Sequence, residues 1–240
     1  MPSRLTRLSV KRLDLYAASV FGCSADLARA GGTHVVPSAD RARPSWKGFT
    51  LPVIALAFPQ GAVVATRPDL VDQLKEVMGS DLHLATLDPA ALTRLHRRLR
   101  TIVPHAFTLG GDVRAADESC FQPSARQERA EQIPWDDSAA LHLRTRFDGE
   151  LFAVRGPRGN LVSWAALKLK AQDVWEIAVA TESDYRGRGY ARDVVSAATA
   201  FGIEQGRTLL YIHDHDNGSS AFVSRSLGFQ RYAEIALAEY

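Results

Sequence analysis

Cysteine is scarce in this chain, with two among 240 residues. Cys23 and Cys120 lie far apart and neither belongs to a CxxC pair. That excludes a disulfide framework and a cysteine-built metal site, and it reads as two free thiols in a reducing cytoplasm. No run of about 18 apolar residues occurs, so no segment is expected to span a bilayer. Charge of one sign is not in excess: 29 Lys plus Arg face 27 Asp plus Glu, a formal net charge of +2. Such a balance gives no reason to expect nucleic acid or a membrane surface as partner. Internal repeats and low-complexity tracts are missing too. What is present, 46% hydrophobic and 23% charged residues, is the composition of a folded globular protein. The length fits one large or two small domains.

The N-terminus needs one comment. Arg4, Arg7, Lys11 and Arg12 precede the apolar stretch Leu15–Cys23 and imitate a short leader. Asp14 opens that stretch, however, and small residues alternate through it as in an amphipathic helix. Leu13–Ala30 therefore reads as helix, closed by Gly31-Gly32, and Asp40–Lys47 as a basic loop. Pro52–Phe58 and Ala62–Thr66 flank Pro59-Gln60-Gly61 and predict a hairpin. Pro68 fits the first turn of a helix over Asp69–Met78, with Gly79 as its stop, and Ala90–Arg100 is a second helix. Arg94, Arg97, Arg98 and Arg100 cluster on it. No aromatic residue interleaves with them, so a solvated face is favoured over an anion contact. Trp46 and Trp135 fall in or near loops and read as packing anchors or as platforms for an acceptor.

Gly110–Gln132 turns polar and reads as a loop plus a surface helix joining two units, residues 1–105 and 106–240. The second unit patterns sharply. Leu151–Arg155, Leu161–Leu169 and Val174–Thr181 read as strands. A glycine-rich turn then enters a helix with apolar positions Ala191, Val194, Val195, Ala198 and Phe201, ending at Gly206. Leu209–His213 is a strand, a helix capped by Asn217 or Ser219 runs to Gly228, and Phe229–Ala238 is the last strand. The fold class expected is α/β. A mixed, mostly antiparallel C-terminal sheet flanked by helices follows a smaller α/β N-terminal unit.

The informative segment is Thr181–Ala191, a strand running through Arg186-Gly187-Arg188-Gly189 into a helix. Such a turn presents backbone N–H groups at the positive end of the helix dipole, a site suited to a diphosphate. Arg186 and Arg188 add cationic donors. A GxxxxGK[ST] phosphate loop is excluded by the missing Lys-Ser/Thr pair. A GxGxxG dinucleotide turn is excluded by Arg192 at its third small position and by the antiparallel strands before it.

This segment resembles the coenzyme A signature of the GCN5-related N-acetyltransferase (GNAT) superfamily, Arg/Gln-x-x-Gly-x-Gly/Ala, standing here as Arg186-Gly-Arg-Gly189-Tyr-Ala191. A second match is Asn217-Gly-Ser-Ser220 followed by Leu227-Gly228-Phe229. The resemblance covers about Phe147–Tyr240 and leaves residues 1–105 unexplained. It implies a pyrophosphate of acetyl-CoA held by backbone amides of Arg186, Gly187, Arg188, Gly189, Tyr190 and Ala191. It also implies a pantetheine arm pairing with Val179, Ala180 and Thr181 like an added strand, and Asn217 and Ser220 beside it. The acceptor implied is an amine of a small molecule or peptide.

Acetyl transfer by direct attack needs a neutral amine, an oxyanion donor and alignment, and no covalent intermediate or metal. The main-chain N–H near Val179 or Ala180 is the oxyanion candidate. Glu176 is the first candidate base, and strand alternation puts it on one face with Ala178 and Ala180. A cross-strand ion pair with Lys168 or Lys170 is the competing reading. His213 or His215, in His213-Asp-His-Asp216, is a further candidate base or proton shuttle. Ser224 stands where many family members carry a tyrosine that protonates the thiolate, and Tyr211 or Tyr232 would have to substitute. Ser183 stands where many have proline. Two other functions stay open: a catalytically weak acyl-CoA-binding or sensing module, and an acyltransferase using a longer acyl-CoA. The first hundred residues either shape acceptor specificity or serve stabilisation and homodimerisation.

Overall fold

A computed structural model describes residues 4–44, 50–79, 89–105 and 107–239. The chain folds as two compact units. One comprises Asp14–Val113 and the last strand from Tyr232. The other comprises the chain up to Leu13 and Arg114–Arg231.

In the first of these, helices α1 (Arg7–Phe21) and α2 (Ala25–Arg29) precede strand β1 (Gly32–Pro37). The single helix expected over Leu13–Ala30 is thus interrupted. Gly22 adopts a positive φ, and Ser24 caps α2 by accepting from the Leu27 N–H. The basic loop after β1 carries a 3-10 turn over Ala39–Ala42; Trp46 lies outside the described residues. The hairpin expected is present as β2 (Val53–Phe58) and β3 (Gly61–Thr66). Every residue of both strands is buried, as their unbroken apolar runs require of central strands. Strand order is β1-β3-β2-β10, with β1 parallel to β3 and β10 (Gln230–Glu239) antiparallel to β2. Helices α3 (Val71–Met78) and α4 (Pro89–Leu99) supply Leu74, Met78, Leu95 and Leu99 to the core over these strands. Arg98 donates to the carbonyls of Val77 and Met78. This member of the basic cluster therefore caps the end of α3, where the helix dipole is negative.

Strand β4 (Phe107–Ala116) occupies part of the stretch expected to be a loop. From Gly111 to Ala115, buried residues alternate with half-buried ones. This period-two pattern is masked in the sequence by Gly110, Gly111, Asp112 and Arg114. The surface helix expected after it is replaced by a 3-10 turn over Gln127–Arg129 and a two-residue strand β5 (Glu131–Gln132).

The second unit has the strand order β9-β8-β7-β6-β5. Its strands β6 (Leu151–Arg155), β7 (Leu161–Leu169) and β8 (Val174–Thr181) match the expected ranges and pair antiparallel. Strand β9 (Thr208–Asp214) pairs parallel to β8. Helix α6 (Tyr190–Glu204) follows a short α5 (Leu141–Arg144) in chain order, and α7 (Gly218–Ser226) precedes β10. Alternation divides the sheet's two faces. Phe152, Ala165, Ile177, Leu209 and Tyr211 pack with Val194, Val195 and Ala198 of α6 and Val223 of α7. Leu151, Ala153, Ala166 and Ala178 take the other face with Ile133, Leu143 and Phe147. Among the described residues no helix is long and apolar enough to cross a membrane.

Candidate active site

Strands β8 and β9 run together for only three residue pairs, Val174–Thr208, Trp175–Leu209 and Glu176–Leu210. Beyond Glu176, β8 continues to Thr181 and β9 to Asp214 without further pairing to each other. The sheet forks there, and the hydrogen-bonding parity of the strands shows which groups line the fork. Leu167 of β7 spends its main-chain groups on Gly149 and Glu150, toward β6. Its neighbours Ala166 and Lys168 therefore face β8, opposite Ala178 and Glu176. Ile177, Val179 and Thr181 consequently turn their N–H and C=O groups to the fork. In the same sense, Asp173 accepts from the Thr208 N–H on the β9 side. An extended chain of amides entering the fork would find a strand edge with donors and acceptors at alternate residues.

This edge leads into the turn before α6. The Arg186 Nε donates to the Thr181 carbonyl at 3.2 Å. Arg188 donates to the Asp184 carbonyl at 3.0 Å and lies over the Tyr185 ring. Both guanidinium groups thus brace the turn. Gly187 and Gly189 have φ of 74° and 84°, a left-handed conformation that side chains with a Cβ adopt at a cost. Gly189 is the N-cap of α6 and provides no side-chain cap. The first-turn N–H groups of this 15-residue helix are therefore presented outward.

A second segment braces the helix start and carries residues that sequence reasoning missed. Asp193, in the first turn of α6, is fully buried. It accepts from the Ser124 hydroxyl at 2.7 Å, and Arg129 lies 3.9 Å away. Ser196 accepts from the Ser124 N–H and donates to Gln127. This polar clamp holds Ser124–Arg129 against α6 and puts the Arg126 guanidinium 3.1 Å from where a Cβ on Gly189 would stand. The sequence signal was available in Asp193 and Ser196, polar residues on the buried stripe of an amphipathic helix.

Glu176 sits at the branch point of the fork, the last residue of β8 paired with β9. It lies opposite Lys168 in register and forms ion pairs with Lys168 and, at 3.3 Å, with Lys170. His213 is buried, with Nδ1 3.1 Å from the Asp214 carbonyl. His215 is half-buried in the following turn. Asn217 caps α7, its Oδ1 accepting from the Ser220 N–H at 3.0 Å. Val179, Ala180 and Thr181 lie along the fork, Thr181 with its hydroxyl 2.8 Å from that of Ser163. Tyr190 and Ala191 are half-buried at the start of α6. Tyr232 belongs to the other unit. Its hydroxyl donates to Asp14 at 2.7 Å, an oxygen that Arg29 also holds at 2.6 Å. Burial and this carboxylate push the Tyr232 phenol well above its usual range. Trp135 is exposed, stacks under Arg144 and donates to Glu150. Among the described residues no cluster of His, Cys, Asp and Glu has the makings of a metal site.

Comparison with curated proteins gives no match. Among solved structures the chain is similar to a GNAT-family protein from Novosphingobium aromaticivorans, at 21% identity and a TM-score of 0.46 over 55% of this chain and 65% of that one. It is also similar to a GNAT-family acetyltransferase from Colwellia psychrerythraea, at 14% and 0.44 over 62% and 63%. The chain thus spans less than two thirds of the length of either. A GCN5-related N-acetyltransferase from Kribbella flavida aligns over 98% of this chain and 96% of its own, at 15% identity and a TM-score of 0.48. Residues 112–229 match the family model of the acetyltransferase (GNAT) family. This stretch of the chain, which holds the fork and the glycine turn, is a GNAT acetyltransferase domain.

Proposed function

We propose that the protein transfers an acetyl group from acetyl-CoA to an amine of a small molecule or peptide, by direct attack and without a covalent enzyme intermediate. The observation that carries this reading is the continuity of the fork with the glycine turn. A strand edge that β9 leaves unpaired (Ile177, Val179) leads through Thr181, whose carbonyl Arg186 holds, to a helix N-terminus without a side-chain cap. The ligand that fits both is an extended amide chain ending in a diphosphate. Acetyl-CoA supplies an activated acyl carbon there. The chain supplies the amides of Arg186–Ala191 for the phosphates, the Val179 edge for the arm, and Asn217 and Ser220 on the α7 side. The Val179 N–H is the donor assigned to the developing oxyanion.

Glu176 is assigned to the acceptor side as base. It stands where the fork opens, on the face it shares with Ala178 rather than with α6. To act, it must exchange one of its lysine partners for the amine. That engagement by two lysines supports the second reading, an acyl-CoA-binding module of weak activity. The two free thiols fit a reducing compartment, and we place the reaction in the cytoplasm.

The test is thermal melting with acetyl-CoA, CoA, NADH and ATP in parallel, followed by an amine screen. A ligand at about 100 times its dissociation constant stabilises by about 2.7 kcal/mol. A shift with acetyl-CoA and CoA alone is expected. A shift with none of the four would refute the site, and a shift without turnover of any amine would favour the binding module.

A further inference from the structure

We propose that Arg126 donates to the diphosphate of bound coenzyme A across the N-terminus of α6, an inference that rests on the acyl-CoA reading above. Arg126 lies outside the Arg186–Ala191 turn, at the start of the 3-10 segment Gln127–Arg129. Its main-chain N–H donates to the Ser124 hydroxyl at 3.4 Å, and its carbonyl accepts from the Arg129 N–H at 3.1 Å. The same Ser124 hydroxyl donates to Asp193 in the first turn of α6. The backbone of Arg126 is thus tied to the helix turn whose N–H groups are presented outward. Its side chain crosses to Gly189, where Nη2 lies 3.1 Å from the place a Cβ would take. The bare Cα of glycine leaves room for a guanidinium there.

That position is unfavourable for a cation until an anion arrives. The N-terminal end of a helix carries positive partial charge and favours acids over arginines. The acid in this first turn, Asp193, is fully buried and turned to Ser124, so it does not offset the charge of Arg126. Arg186 and Arg188 spend donors on the carbonyls of Thr181 and Asp184. Arg126 is exposed, and among the described residues its guanidinium has no hydrogen-bond or ion-pair partner. A merely solvated arginine gains nothing by lying against the N-cap of a helix. A guanidinium fork held beside outward-facing helix amides matches phosphate oxygens, which accept from both. The clamp fixes the backbone in advance, so little of the binding free energy is lost in ordering this segment.

The experiment compares CoA with dephospho-CoA, which keeps the diphosphate and lacks the 3′-phosphate, so no acceptor need be known. Both are titrated calorimetrically into the intact protein and into Arg126→Gln. The variant is expected to bind each ligand about tenfold or more weakly, because each complex loses a charge-assisted hydrogen bond. Without ligand, Arg126→Gln is expected to melt no lower than the parent, since it removes a cation from the positive end of a helix. Unchanged affinity for both ligands would overturn the proposal. Weakening confined to CoA would overturn it too, by moving the contact to the 3′-phosphate. Lower ligand-free melting with unchanged affinity would leave Arg126 as a structural brace only. Binding of neither ligand by the intact protein would instead refute the acyl-CoA site itself.

Discussion

Alanine at Gly187 separates the cost of a strained backbone from the cost of a filled ligand cradle, because the same fold contains a matched control. Gly187 and Gly159 have φ of 74° and 77°, and at neither would a Cβ meet a heavy atom within 4 Å. Gly159 lies in the turn between β6 and β7, outside the fork. Either substitution adds left-handed strain of about 1–2 kcal/mol, offset by about 0.4–1 kcal/mol from the stiffer unfolded chain. The net loss is about 1 kcal/mol for both, a fall in Tm of roughly 2–4 °C at this size. Binding should separate them. A methyl group at Gly187 projects from the turn assigned to the diphosphate and displaces charge-assisted hydrogen bonds worth about 1.5–3 kcal/mol each. Loss of one such bond weakens CoA by roughly 10- to 100-fold, whereas Gly159→Ala should leave affinity within about twofold. Differential scanning fluorimetry and calorimetric titration with CoA measure the two quantities. Equal affinities in variants that lose equal stability would refute the assignment of this turn.

Glu176→Gln should lower turnover by about 10²-fold or more while CoA affinity stays unchanged; an unaltered rate would remove Glu176 as base. Asp117 should govern part of the acid stability. Burial raises its pKa, but hydrogen bonds from Ser119 and Thr6 outweigh this and hold it at about 2. The folded value lies below the unfolded one, so the contribution is full above about pH 4 and is lost as pH falls toward 2. Its size is about 2 kcal/mol, and Asp117→Asn should flatten that part of a melting series from pH 5 to 2. Cys120, whose thiol burial pushes up to about 11, should resist alkylation until the protein unfolds, with half-buried Cys23 labelling first by mass spectrometry.

The elements legible in the sequence were those whose local pattern and tertiary environment agree. The strands β6, β7 and β8 alternate or run apolar between turn residues, and α6 repeats its apolar positions at helical spacing up to Gly206. The Arg186–Ala191 turn was legible because positive φ at Gly187 and Gly189 leaves glycine little competition. Strand β4 was hidden because Gly110, Gly111, Asp112 and Arg114 are poor strand formers, tolerated where pairing and one buried face outweigh propensity. Alternation correctly put Glu176 on the Ala178 face, but whether that carboxylate meets solvent or two lysines depends on strand register. That register is a long-range property, and it set Lys168 opposite Glu176. The same holds for Tyr232, whose hydroxyl partner Asp14 is remote in sequence, and for the Ser124–Asp193 clamp. Residue types and spacing by themselves determined the α/β class, the helix and strand run after Phe147 and the glycine turn that opens α6, because these rest on local backbone geometry. Only the tertiary structure decided where β8 and β9 part and which hydroxyls and carboxylates are already engaged. Those outcomes follow from packing between segments that the chain alone does not bring together.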